Sequence, residues 1–259
     1  MSKDPITMSL FDSEGKPRSG VQQAILKGIG VQRPIVLAYL RRLERKHPQA
    51  SSAELAKLVE RDYLAIATGS GAAVGGTAAV PAVGTAAALG LSVVATLGFL
   101  EASALYAQAL AELHGIAIED PDRSRVLVMG VLMGEEGSSM IAGLSAQAAG
   151  RGSGPVKGWA KAFGAGKPTS FYSTLQNSLQ KKFMRKVVGT QAASVLGRVV
   201  PFGIGAVIGG AGNRYLAQRV IETAQVAFAG IPTIHRDQLE LDDPNIVEAE
   251  EPRGSGDDR

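Results

Sequence analysis

From Tyr63 to Leu100 the chain carries no charged side chain, and alanine and glycine dominate the stretch TGSGAAVGGTAAVPAVGTAAALGLSVVATLGFL. A segment this apolar has to be covered by protein or lipid, and its small residues let helix backbones approach closely. Pro81 interrupts it, which predicts two helical arms meeting near residues 80–84. The second arm, from Val83, falls short of the about 20 apolar residues that a bilayer span needs. Its strongly apolar members are Val83, Leu89, Leu91, Val93, Val94, Leu97, Phe99 and Leu100. At roughly −0.5 kcal/mol each they supply only about −4 kcal/mol before the glycine and polar costs. Residues 64–113 are therefore expected to form two long helices packed against the 199–229 region, which has matching small-residue faces. An integral hairpin is the alternative.

The flanking sequence is dense in helix signals. Arg33-Pro34 opens a helix that Pro48 stops, with Val36, Tyr39, Leu40 and Leu43 on one side and Arg41, Arg42, Arg45 and Lys46 largely opposite. Ser51 and Glu54 make a capping box for the next helix. Gly115 is placed to close the second apolar arm after His114. Asp120-Pro121-Asp122 starts a helix expected to run through RVLVMGVLMGEEGSSMIAGLSAQ. The segment 150–170 is glycine-rich and reads as a connection, with one short helix around Trp159. In FYSTLQNSLQKKFMRKVV the residues Phe171, Leu175, Leu179, Phe183 and Val187 form one stripe, with Lys181, Lys182 and Arg185 mostly opposite. RYLAQRVIETAQVAFAG repeats the amphipathic pattern, and no run alternates as a strand does. The fold class expected is all-α: a multi-helix bundle around a Gly/Ala-rich hairpin, with little or no β-sheet. Residues 1–20 read as a flexible arm, 21–235 as a single helical domain and 236–259 as an acidic disordered tail.

Charge is unevenly spread. Nine of the chain's 24 acids lie in residues 236–259 against three of its 27 basic residues, leaving 24 basic and 15 acidic side chains in the remainder. Between Glu136 and Glu222 there is no acid at all. A one-signed stretch of this length points to a polyanionic partner. The candidate anion-binding residues are Lys157, Lys161, Lys181, Lys182, Arg185 and Lys186. With no cysteine, the chain has no disulfide, thiolate metal site or cysteine nucleophile.

Motifs for chemistry fail on inspection. Gly164-Ala-Gly166-Lys167-Pro168-Thr169 lacks both the first glycine and the Ser/Thr of a phosphate loop. Gly203-Ile-Gly205 through Gly209 has no preceding strand for a dinucleotide site, and its glycines read better as helix-packing positions, like Gly71 and Gly75 or Gly84 and Ala88. His47, His114 and His235 lack ligand spacing, so neither a metal nor a cofactor is expected. Glu101 interrupts the apolar run and is expected to be buried in an ion pair with Arg198 or Arg214, with Asn213 a further buried polar candidate. An enzyme using Glu101, Glu135 or Glu136 in a pocket is an alternative.

In their order, the hairpin GSGAAVGGTAAVPAVGTAAALGLSVVATL, the helix ending at His114-Gly115, the connection IEDPDRSRVLVMGVL and the closing VVPFGIGAVIGGAGNRYLAQRVIETAQVAF resemble the EcsC family of bacterial proteins. Pro201, Gly205, Gly209, Asn213, Ala224 and Phe228 carry most of the likeness, which covers residues 50–230. The chain departs from the family at His114, where a tyrosine precedes the glycine, and at Glu101, where a neutral or basic residue stands. The resemblance implies a mostly helical, often membrane-associated protein linked by name to a transporter operon, with no catalytic residues to carry over. The expected function is non-enzymatic: binding to an anionic membrane surface or a membrane protein complex. MSKDPITMSLFDSEGKPR has no apolar signal core, so the expected location is cytoplasmic, peripheral to the inner face of the cytoplasmic membrane. Nucleic-acid binding through the same basic stretch ranks below this, since no recognition motif accompanies it.

Overall fold

A computed structural model describes residues 19–77, 85–149, 162–163, 173–174, 176–186, 204–235 and 239. The fold is an all-α bundle, and no strand occurs among the described residues. Among the described residues seven helices follow in order: α1 Ser19–Gly28, α2 Arg33–Lys46, α3 Ser52–Thr77, α4 Thr85–Leu113, α5 Pro121–Met133, α6 Glu135–Ala149 and α7 Ile204–Ala227. A further helical segment covers 176–186. The turn near 80–84 and most of the acidic tail lie outside the described residues. The tail's Leu239 is buried.

Local chemistry sets several helix ends. The capping box of α3 is complete: the Ser51 amide and hydroxyl both donate to Glu54 at 2.8 Å, and the Glu54 amide donates back to Ser51 Oγ at 3.3 Å. These bonds hold the Glu54 carboxyl below the usual carboxylate range. Asp120 caps α5 by accepting from the Asp122 amide at 2.8 Å, with Pro121 in the first turn. At the other end of α4, Ile116 N–H reaches Ala111 O at 2.8 Å and Gly115 N–H reaches Glu112 O at 2.9 Å. Gly115 has φ 71°, so this is a Schellman ending that a side chain would strain.

The core is built around the second half of α4. From Ser103 to Leu113 almost every residue is buried, including Tyr106, Leu110 and Leu113. α2 contributes Val36, Leu37, Leu40 and Leu43 to this core, while Tyr39 stays half-buried with its hydroxyl 3.3 Å from Asp62. Tyr63 of α3 stacks on Tyr106 at 4.7 Å between centroids and shares a 2.8 Å hydrogen bond with Ser103.

The expected packing of the hairpin helices is present, with one refinement. α3 makes the most extensive helix–helix contact with α7, whereas α4 meets α7 only slightly. A β-carbon at Gly210 would stand 3.3 Å from Ala72 Cβ and 3.5 Å from Thr68 O, so the missing side chain sets how closely α3 and α7 approach. The side-chain surroundings of Gly75, Gly84, Ala88, Gly205 and Gly209 lie outside the described residues. Among the described residues no helix is long and apolar enough to cross a membrane.

The single helix expected after Pro121 is instead two. Gly134, at φ 77°, ends α5 and turns the chain into α6. The two helices then touch at backbone distance: a β-carbon on Gly137 would fall 2.0 Å from the Gly130 carbonyl oxygen.

Candidate functional site

The basic helix predicted around 171–188 is described over 176–186, and its two faces have different fates. Leu179, Phe183 and Met184 are buried in the protein core. The described part of the apolar stripe, Leu179 and Phe183, is therefore covered by protein, while Phe171, Leu175 and Val187 lie outside the described residues. On the other side Lys181, Lys182, Arg185 and Lys186 are exposed. Lys182 pairs with Glu136, and Lys186 Nζ donates to the Met133 carbonyl at 2.9 Å. Both contacts fall on the corner between α5 and α6, where the last carbonyls of α5 lack intrahelical partners. Lys182, with help from Lys186, holds the exposed Glu136 carboxyl below the usual range. Lys181 and Arg185 have no acidic partner among the described residues. This arrangement presents cations from a helix that cannot easily reorient.

Of the other predicted residues, Lys157, Lys161 and Arg198 lie outside the described set. Glu101 is exposed, contrary to the expected buried ion pair, and Arg214 is exposed as well, with no ion pair joining the two. The physical reason is position along α4: Glu101 sits beside α1, its Cγ 3.8 Å from where a β-carbon on Gly28 would lie, and its side chain stays open to solvent. Asn213 is half-buried. Glu135 and Glu136 are also exposed, so the three carboxylates of the enzyme alternative stand on the surface. A recess of about 500 Å³ opens between the start of α3 and residues 233–235, lined among others by Gln49, Ser52, Thr233 and His235, and none of those three carboxylates reaches it. Among the described residues no three metal-ligating side chains gather.

Among the described residues the buried charged groups are Glu112 and Arg123, which no local sequence pattern marks. Glu112 on α4 receives Arg33 Nε at 2.7 Å and Nη2 at 3.2 Å, which ties the start of α2 to the end of α4. Arg123 on α5 is 2% exposed, with Asp120 3.6 Å away. These pairs surround the loop 114–120 and serve the fold.

His114 belongs to the same end of the bundle. Its ring stacks on Phe228 at 5.0 Å, while Ile234 N–H donates to Leu113 O at 3.0 Å, strapping residues 231–235 over the end of α4. Burial pushes the His114 imidazole below its ordinary value of 6.5, and the carbonyls of Pro232 and Ile231 pull weakly the other way. A histidine with a depressed folded-state pKa stabilises fully above the unfolded value and loses that contribution as pH falls toward the folded one. Wild type is thus expected to lose stability relative to His114→Gln between pH 7.5 and 5.5, measured by urea unfolding. Parallel pH profiles for the two proteins would refute the assignment.

No family model, curated protein or solved structure matches the chain.

Proposed function

We propose that the chain is a non-enzymatic, EcsC-like helical protein that docks peripherally on the anionic inner face of the cytoplasmic membrane. One observation carries this reading: the cations of segment 176–186 are held outward because Leu179, Phe183 and Met184 lock the opposite face into the core. Docking is then electrostatic adhesion of a folded surface, without unfolding of the helix to insert its stripe. Each basic residue near an anionic surface contributes about 1 kcal/mol, and salt weakens it.

The test uses Lys181→Glu with Arg185→Glu, since these two leave the Glu136 and Met133 contacts intact. Reversing both should remove about 2–4 kcal/mol of adhesion, a roughly 30- to 1000-fold drop in partitioning onto phosphatidylglycerol vesicles. Wild type should co-sediment with such vesicles at low salt and not with phosphatidylcholine alone. Unchanged sedimentation of the double variant overturns the reading. So does tight, salt-sensitive binding to mixed DNA and RNA with no vesicle binding, which would make the basic face a nucleic-acid surface.

A further inference from the structure

An electrostatic face alone lacks an apolar component, and α7 offers one beside it. Among its described residues this helix buries Gly210, Ala217, Val220 and Ala224 along one stripe. Its outer side exposes Tyr215 at 58% and Leu216 at 51%, large apolar groups that nothing among the described residues covers. Arg219 stands between them one turn further on; its guanidinium lies 5.9 Å from the Tyr215 ring centre and also pairs with Glu222 at 3.2 Å.

The orientation of α7 brings this pair toward the basic segment. Positions 216, 219 and 223 share one helix edge, and 216 is about 10 Å along the axis from 223. Thr223 Oγ1 lies 3.9 Å from where a β-carbon on Gly134 would stand, so this edge faces the α5–α6 corner. Lys182 and Lys186 are fastened to that same corner. The combined surface carries Lys181, Lys182, Arg185, Lys186 and Arg219 against the three exposed acids Glu135, Glu136 and Glu222. Two of those acids are already engaged, by Lys182 and Arg219.

We infer that Tyr215 and Leu216 form the lipid-contacting apolar centre of an anionic-membrane docking face whose cations come from segment 176–186 and from Arg219. Tyrosine beside arginine suits the headgroup level, where an amphipathic ring and a cation are both satisfied. The inference rests on the proposed membrane association and specifies which part of the chain meets the bilayer.

Because the chain has no cysteine, one introduced thiol can be labelled uniquely. Leu216→Cys and Ile35→Cys would each carry an environment-sensitive fluorophore. Ile35 is comparably exposed, at 56%, on α2. With phosphatidylglycerol vesicles containing brominated chains, emission at position 216 should shift to the blue and be quenched, and emission at position 35 should not. In the unlabelled protein, Tyr215→Ser with Leu216→Ser should weaken vesicle binding about tenfold, with an unchanged circular dichroism spectrum. Sedimentation without quenching at 216, equal quenching at 35, or undiminished binding by the double serine variant overturns this inference while leaving membrane association standing. Absence of any binding to these vesicles overturns both.

Discussion

Gly137→Ala should cost the protein about 3–5 kcal/mol, seen as a large fall in the urea midpoint, while Gly143→Ala on the same helix should be neutral or stabilising by up to about 1 kcal/mol. Alanine is the better helix former, so propensity favours both substitutions equally. Space decides the difference. At Gly143 nothing lies within 4 Å of the added carbon. At Gly137 the new methyl would stand 2.0 Å from the Gly130 oxygen and 2.8 Å from its carbonyl carbon and Cα, all backbone atoms that move only if α5 and α6 separate. Separation would also open the contact between Gly130 and the buried Ile141. Gly130→Ala provides an internal check, because its nearest obstacle is Ile141 Cδ1 at 2.0 Å, the end of a side chain. Ile141→Val removes that atom and should relieve part of the Gly130→Ala cost without relieving Gly137→Ala, a non-additivity a double-mutant cycle would measure. Equal, small effects at 137 and 143 would show that α5 and α6 do not cross at backbone contact.

The features legible in the sequence are those whose chemistry is local. Ser51 with Glu54, Asp120 with Pro121, and Gly115 after His114 each settle a helix end within a few residues, and each is found where the sequence places it. Gly134 carries no such local signal, because a glycine in an apolar helical pattern is tolerable in isolation. What makes it a corner is the long side-chain-free approach of Gly130 to Gly137, which only the folded chain reveals. The same distinction governs the basic helix: periodicity shows that Leu179 and Phe183 share a face with the cations opposite, but a protein core and a lipid surface both fit an apolar stripe. Its burial in the core transfers the question of lipid contact to Tyr215 and Leu216, whose exposure on α7 runs against the helix pattern and had no local signal.

Glu101 and Glu112 show the limit in its sharpest form, and they lead to the second large effect. Eleven residues apart, they lie on one stripe of α4, separated by about 16 Å along the axis. Sequence singled out the first because it interrupts the apolar run, yet it is exposed, while the second is 8% exposed where α2 crosses. Glu112→Ala is expected to destabilise by about 3 kcal/mol, because it takes away the carboxylate held at 2.7 Å by an Arg33 side chain only 16% exposed. Glu119, at 3.9 Å and largely exposed, compensates little of that charge. Glu101→Ala should change stability by less than about 0.5 kcal/mol, as surface substitutions do. Replacing the pair together, Arg33→Met with Glu112→Leu, should recover most of the loss, since breaking a desolvated ion pair strands one charge whereas apolar replacement strands none. Urea unfolding of the four variants separates the cases. If Glu112→Ala costs no more than Glu101→Ala, the bidentate contact is a surface pair and α2 is held to α4 by its leucines alone.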